Sequence, residues 1–192
     1  MYKFQMVLLV LFLFMGTAQA DNIENSTSSE TRISLNGTWN FKADYYNIGE
    51  DKAWFAGNFN DSGWDKMNVP GNWDIRNEYA NYIGKGWYRT AFETPSGIDN
   101  KVVRLNFEAV GIDYKVWLNG EQIANVTGGY FSNDLNISNK LKSGSKNTLV
   151  VCVDNTFRSG AYWSWGGIRR PVTLIINNWY LLSQRILYPF LI

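Results

Sequence analysis

Chemistry in this chain has to be found without its usual carriers. There is no histidine, which removes every Ser-His-Asp or Cys-His arrangement and every imidazole metal ligand. A single cysteine, Cys152, leaves no internal disulfide, no zinc cluster and no CxxC redox pair. It lies in the apolar run Leu149-Val150-Val151-Cys152-Val153 and reads as a small buried hydrophobe with no base beside it. Glu108 and Asp113 flank a turn between two strand-like runs and form a conceivable acid/base pair. Nothing around them splits their pKa values, so they read as surface carboxylates. What remains is aromatic chemistry. Aromatic residues make up 16% of the chain, nine of them Trp. That share calls for a large core, a stacking surface, or both. Tyr162-Trp163-Ser164-Trp165, followed at once by Gly166-Gly167, is the densest such group.

These rings need a frame, and period-two alternation supplies it. Apolar residues alternate through residues 34–43 (Leu35, Trp39, Phe41), 86–93, 101–108 (Val103, Leu105, Phe107), 114–118, 122–124, 131–137, 147–153 and 172–176, with a short run at 66–69 that stops at Pro70. Asn119-Gly120 is the strongest hairpin signal, because both central positions of a type I′ turn need positive φ. No stretch shows a helical period. The expected fold is all-β, an antiparallel jelly-roll β-sandwich. Trp39, Trp87 and Trp117 are expected at inward strand positions. Trp54, Trp64 and Trp73 are expected to pin the long segment between the first strands. Arg89, alternating with Trp87, reads as a buried partner of a carboxylate. Arg169-Arg170-Pro171 reads as a structural ion pair, and Asp154-Asn155 as a turn.

The termini read differently. Residues 1–20 carry one Lys, an apolar run and a small-residue ending Ala18-Gln19-Ala20, the layout of a cleaved signal peptide. The expected location is therefore exported, periplasmic or extracellular, with no membrane attachment after cleavage. Residues 21–32 are polar and Ser/Thr-rich and read as a disordered linker. Sequons at Asn25, Asn36, Asn60, Asn125 and Asn136 reflect an Asn-rich composition. Residues 178–192 form an apolar tail in which the chain ends, the look of a shortened gene product or of a last strand over a sheet edge. A net charge of +1 gives no basic patch for nucleic acid.

Several segments, in order, resemble the N-terminal sugar-binding domain of glycoside hydrolase family 2. They are Leu35-Asn36-Gly37-Thr38-Trp39-Asn40-Phe41, Val69-Pro70-Gly71-Asn72-Trp73, Gly86-Trp87-Tyr88-Arg89, Leu105-Asn106-Phe107-Glu108-Ala109-Val110, Val116-Trp117-Leu118-Asn119-Gly120, Gly128-Gly129-Tyr130, Val153-Asp154-Asn155 and Gly166-Gly167-Ile168-Arg169-Arg170-Pro171-Val172. The resemblance spans about residues 33–177. It implies a jelly-roll domain that packs beside a catalytic barrel and helps frame its sugar pocket.

On that resemblance the sugar-contact candidates are Trp163, Trp165, Tyr162, Asn81, Tyr82 and Arg158. Indole faces stack on the apolar face of a sugar ring while amides and Arg bind its hydroxyls. The loop around Glu78-Tyr79-Ala80-Asn81-Tyr82 is one the family directs toward the pocket. Where the family's galactosidases carry a sugar-binding Asp, this chain has Ala161 or Tyr162, so no galactose specificity is implied. The family's two catalytic glutamates stand on a barrel of about 250 residues. A chain of 192 residues cannot hold that barrel beside a sandwich. No catalytic residue, metal or cofactor is therefore expected here. The expected partners are a β-linked carbohydrate and a catalytic barrel domain or chain. A free-standing carbohydrate-binding module and an assembly subunit are the alternatives.

Overall fold

The alternating segments do become strands, and they close a core between two antiparallel sheets. The computed structural model describes residues 30–156 and 165–178. Twelve strands occur among them: β1 (Thr31–Ser34), β2 (Gly37–Asp44), β3 (Asp65–Val69), β4 (Gly71–Asn72), β5 (Lys85–Glu93), β6 (Lys101–Phe107), β7 (Asp113–Leu118), β8 (Glu121–Thr127), β9 (Asn133–Asn136), β10 (Lys146–Asp154), β11 (Gly167–Ile168) and β12 (Val172–Asn178). Two single 3-10 turns, Trp73–Ile75 and Asn77–Tyr79, lie between β4 and β5. One sheet has the order β1-β12-β6-β9 and the other β3-β2-β5-β10-β7-β8; β11 and β4 form a two-stranded ribbon at one end. Every pairing is antiparallel.

Burial follows the pleat. Trp39 and Phe41 of β2, Tyr88 of β5, Val116 and Leu118 of β7 and Val151 and Val153 of β10 face Leu105 and Phe107 of β6 and Leu174 and Ile176 of β12. Side chains two apart on a strand share a face. The Asn119-Gly120 turn joins β7 to β8 with φ of 54° and 89°, as the hairpin signal predicts.

Three features differ from the sequence reading. Residues 31 and 32, placed in the linker by composition, open β1, which pairs with β12. The two-residue strands β4 and β11 are too short and too Gly-rich to show any alternation. The third difference concerns Trp87 and Trp117, which are buried but point away from the inter-sheet core. With Trp54, Trp64, Val150 and Cys152 they build a second core on the outer face of the six-stranded sheet. The segment from residue 45 to 64 covers that face. Trp54 meets Trp87 edge-on at 5.9 Å and Trp64 at 5.4 Å, and Phe55 stacks on Trp117 at 5.4 Å. Alternation tells which residues share a face; it does not tell which face meets the other sheet. Trp73, grouped with Trp54 and Trp64 by position, instead belongs to the inter-sheet core.

Two polar devices tie this covering segment down. The Asp44 carboxylate accepts from the backbone N–H of Ile48 and Gly49, both at 2.9 Å, and from Trp87 Nε1 at 3.1 Å. Residue 49 has to be glycine, since a Cβ would lie 2.4 Å from Trp87 Nε1. Arg89, 3% exposed, donates to Asp61 Oδ2 at 2.9 Å and to the Trp54 carbonyl at 2.6 Å. It is the buried carboxylate partner that its alternation with Trp87 predicts.

Candidate functional site

The strand ends of β2, β5 and β10 carry a cavity of about 560 Å³ lined by Asp44, Tyr45, Asn47, Asn81, Tyr82, Ile83, Gly84, Lys85, Asp154 and Thr156. Its wall is made by three segments far apart in sequence, residues 44–47, 81–85 and 154–156. Asn155, almost wholly buried, holds the last two together. Its Oδ1 accepts from Gly84 N at 2.8 Å, its Nδ2 donates to the Tyr82 carbonyl at 3.4 Å, and its N–H bonds Gly84 O at 3.2 Å. Trp73 Nε1 also donates to the Tyr82 carbonyl, at 3.3 Å. Tyr82 thus has a fixed backbone, and its hydroxyl donates to the Lys85 carbonyl at 2.8 Å. Its ring meets that of Tyr45 edge-on at 4.8 Å.

The groups that line this cavity are amides, two carboxylates, an ammonium and phenol rings. Asn81 is exposed. Lys85 Nζ donates to Asn47 Oδ1 at 2.5 Å, and Asp154 Oδ1 accepts from Thr156 N at 2.9 Å. Burial, more than any neighbouring charge, pushes the Tyr82 phenol far above its usual range. It is therefore a neutral hydroxyl whose proton is already committed. Such a lining can exchange hydrogen bonds with hydroxyls and offer ring faces. Among the described residues, no group of three or more His, Cys, Asp or Glu side chains could hold a metal ion.

Of the sequence candidates, Asn81 and Tyr82 line this cavity together. Trp165 does not. It stands at a second, smaller cavity of about 310 Å³ lined by Asn72, Ala109, Tyr130, Arg169 and Arg170, through its contact with Arg169. Arg158, Tyr162 and Trp163 lie outside the described residues. Arg169 corrects the ion-pair expectation. Its guanidinium lies 5.6 Å from the Tyr130 ring and 5.4 Å from the Trp165 ring. Among the described residues neither it nor Arg170 pairs with a carboxylate.

Tyr45, Asn47 and Lys85 are among the lining residues that sequence reasoning missed. Tyr45-Tyr46, an exposed aromatic pair at the end of an alternating run, is the signal that could have found the first. Asp154 was read as a turn residue, and its bond to Thr156 N fits that reading, yet it also faces the cavity. Trp73 is tied to both linings, through its bond to the Tyr82 carbonyl and through its chain neighbour Asn72. A Cβ on Gly166 would lie 1.8 Å from its ring, so only glycine lets β11 close against it.

Comparison with known proteins bears on all of this. Residues 33–177 match the family described as "Glycosyl hydrolases family 2, sugar binding domain". A protein of Formosa agariphila, whose name assigns it provisionally to the beta-glucuronidases, is 31% identical over 185 residues, 90% of this chain and 16% of its own length. "Beta-galactosidase BoGH2A" of Bacteroides ovatus is 28% identical over 160 residues, 77% of this chain and 19% of its own. The chain therefore spans less than a quarter of these curated relatives. The solved beta-glucuronidase of an uncultured Clostridium superposes with a TM-score of 0.72 over 81% of this chain and 30% of its own, at 24% identity. That likeness concerns the fold.

Proposed function

The chain belongs to glycosyl hydrolase family 2 through its sugar-binding domain, and from that premise we propose that it binds a β-linked carbohydrate as the non-catalytic accessory domain of an exported glycosidase. The observation that carries the reading is the cavity in which Asn81, Tyr82, Tyr45, Lys85 and Asp154 converge. It has the size range of small-molecule sites, with a few polar groups fixed by packing. Asn81 and Lys85 bind ring hydroxyls, and the Tyr45 ring flanks the apolar face of the sugar.

The reacting carboxylates come from a catalytic barrel, in the same polypeptide or a partner chain. Two observations support this division. Glu108 is exposed and Asp113 accepts from the Gly128 N–H at 3.2 Å, surroundings that suit a surface carboxylate and a turn-fixing one. The relatives are several times longer than the matched segment. Export rests on the signal-like composition of residues 1–20.

The test is calorimetric titration of the chain with galactose, mannose, glucuronic acid and a short β-linked oligosaccharide, beside a chromogenic β-glycoside assay. Saturable binding without turnover, weakened at least tenfold in Asn81→Ala, is the expected result. Turnover that survives repurification would overturn the accessory role, and absence of any sugar binding would overturn the carbohydrate reading.

A further inference from the structure

The smaller cavity shares no lining residue with the larger one. Its composition is also different. The larger cavity has Asp44, Asp154 and Lys85, so its charges are mixed. The smaller has two arginines and no carboxylate in its lining. Arg169 and Arg170 are held by their backbones, both N–H groups bonding the Ala109 carbonyl, at 3.0 and 3.1 Å. That carbonyl is fixed in turn by its neighbour Val110, which bridges to Ile168 and bonds Gly129 O at 2.9 Å. The same Gly129 anchors the next residue, Tyr130. The guanidinium of Arg169 thus sits between two rings on a rigid base. Tyr130 is 52% and Trp165 48% exposed, so both keep ring surface open to solvent.

Charge in such a cluster is normally neutralised by a nearby acid. Here no described acid pairs with either arginine. Glu108 adjoins Ala109, and its backbone N–H bonds the Pro171 carbonyl at 3.1 Å, but its carboxylate pairs with neither arginine. The eight residues before Trp165, from 157 to 164, contain no Asp or Glu, so that segment has no acid to offer. Two rings beside a guanidinium that no described acid neutralises fit a ligand that is flat and apolar on one side and anionic at an edge. A planar guanidinium fork binds a carboxylate or a sulfate through two parallel hydrogen bonds.

We propose that Arg169, Tyr130 and Trp165, with Arg170 and Asn72 at the rim, form a second sugar site on this domain, one that takes an anionic sugar residue bearing a carboxylate or a sulfate ester. The proposal rests on the carbohydrate reading above. It adds a charge preference and a location that the larger cavity does not provide. The anionic group sits on Arg169, and the ring of the sugar lies against Trp165 or Tyr130.

The experiment is titration of the chain at low and moderate salt with four probes: glucuronate, galactose 6-sulfate, glucose and galactose. The expected result is that at least one anionic probe binds tenfold or more tightly than both neutral ones. That preference weakens as salt rises, because exposed charge pairs are screened. Arg169→Gln abolishes it and Arg169→Lys restores part of it. Tyr130→Ala, at an exposed ring, weakens the same probe and guards against a folding defect in the Arg169 variants. Glucuronate binding alone assigns a carboxylate ligand, and galactose 6-sulfate alone a sulfate. Equal affinity for neutral and anionic probes, unmoved by Arg169→Gln, overturns this proposal and leaves the carbohydrate reading standing. Binding of none of the four overturns both.

Discussion

Replacing Arg89 by methionine tests the account of the outer core most directly. Methionine keeps most of the apolar stem and removes the charge. The lost bonds are those to Asp61 Oδ2 at 2.9 Å and to the Trp54 carbonyl at 2.6 Å; the approach to Phe59 O at 3.5 Å is too long to count. Hydrogen bonds to charged groups contribute about 1.5–3 kcal/mol each, which gives about 3–6 kcal/mol for the pair. Some returns, because the Asp61 side chain is 27% exposed and regains water. The Trp54 carbonyl does not. The expected loss is about 2–4 kcal/mol, a little below the cost of breaking a fully buried ion pair. Urea unfolding followed by Trp fluorescence measures it, with the midpoint falling by about 1–2 M at an unchanged m-value. Asp61→Asn should cost less, about 1–2 kcal/mol, and the double variant less than the sum of the two. A loss under about 1 kcal/mol for Arg89→Met, or strict additivity with Asp61→Asn, would refute the claim that this pair pins the covering segment.

The remaining expectations concern the same framework. Burial pushes the Asp61 carboxyl up, but hydrogen bonds from Asn40 and Arg89 and the charge of Arg89 outweigh it and hold the group below its ordinary range. Its stabilising contribution is therefore complete above about pH 5 and is lost as pH falls through the lowered folded value; urea midpoints between pH 2 and pH 7 should fall more steeply for the wild type than for Asp61→Asn. Gly49→Ala, whose Cβ would press on Trp87 Nε1 at 2.4 Å, should lower stability by about 1–3 kcal/mol, read as a drop in the thermal midpoint. Cys152 is buried, and burial pushes its thiol far above the usual range; a colorimetric thiol reagent at pH 8 should react only after unfolding in urea.

Much of the frame was legible because a half-buried strand writes its burial every second residue. β6, with Val103, Leu105 and Phe107 inward, could be read directly, and Asn119-Gly120 announced its hairpin through the backbone it requires. What could not be read was the direction of the second face. Trp39 and Trp87 occupy equivalent positions in equally clear alternations, yet one meets the other sheet and one meets a covering loop. That outcome depends on residues 45–64, which have no periodicity. The cavity lining was legible only in part. Asn81 and Tyr82 entered through the family resemblance, whereas Lys85 stands just before the alternating run 86–93 and Tyr130 reads only as a residue after two glycines. Their roles come from strand ends brought together by Asn155 and by the β4–β11 ribbon.

The segment from 45 to 64 changes what the six-stranded sheet is. A sheet in a sandwich has one dry side and one wet side, and it can flex by letting the wet side bend. Here much of the outer side is sealed by indoles, so β5 and β10 run as a middle layer between two packed ones. A middle layer has no compliant face, and its twist is clamped from above and below. The larger cavity hangs from the ends of those same strands, at Lys85 and Asp154. The outer tryptophans never touch a ligand there, yet they stiffen the mount on which one is held.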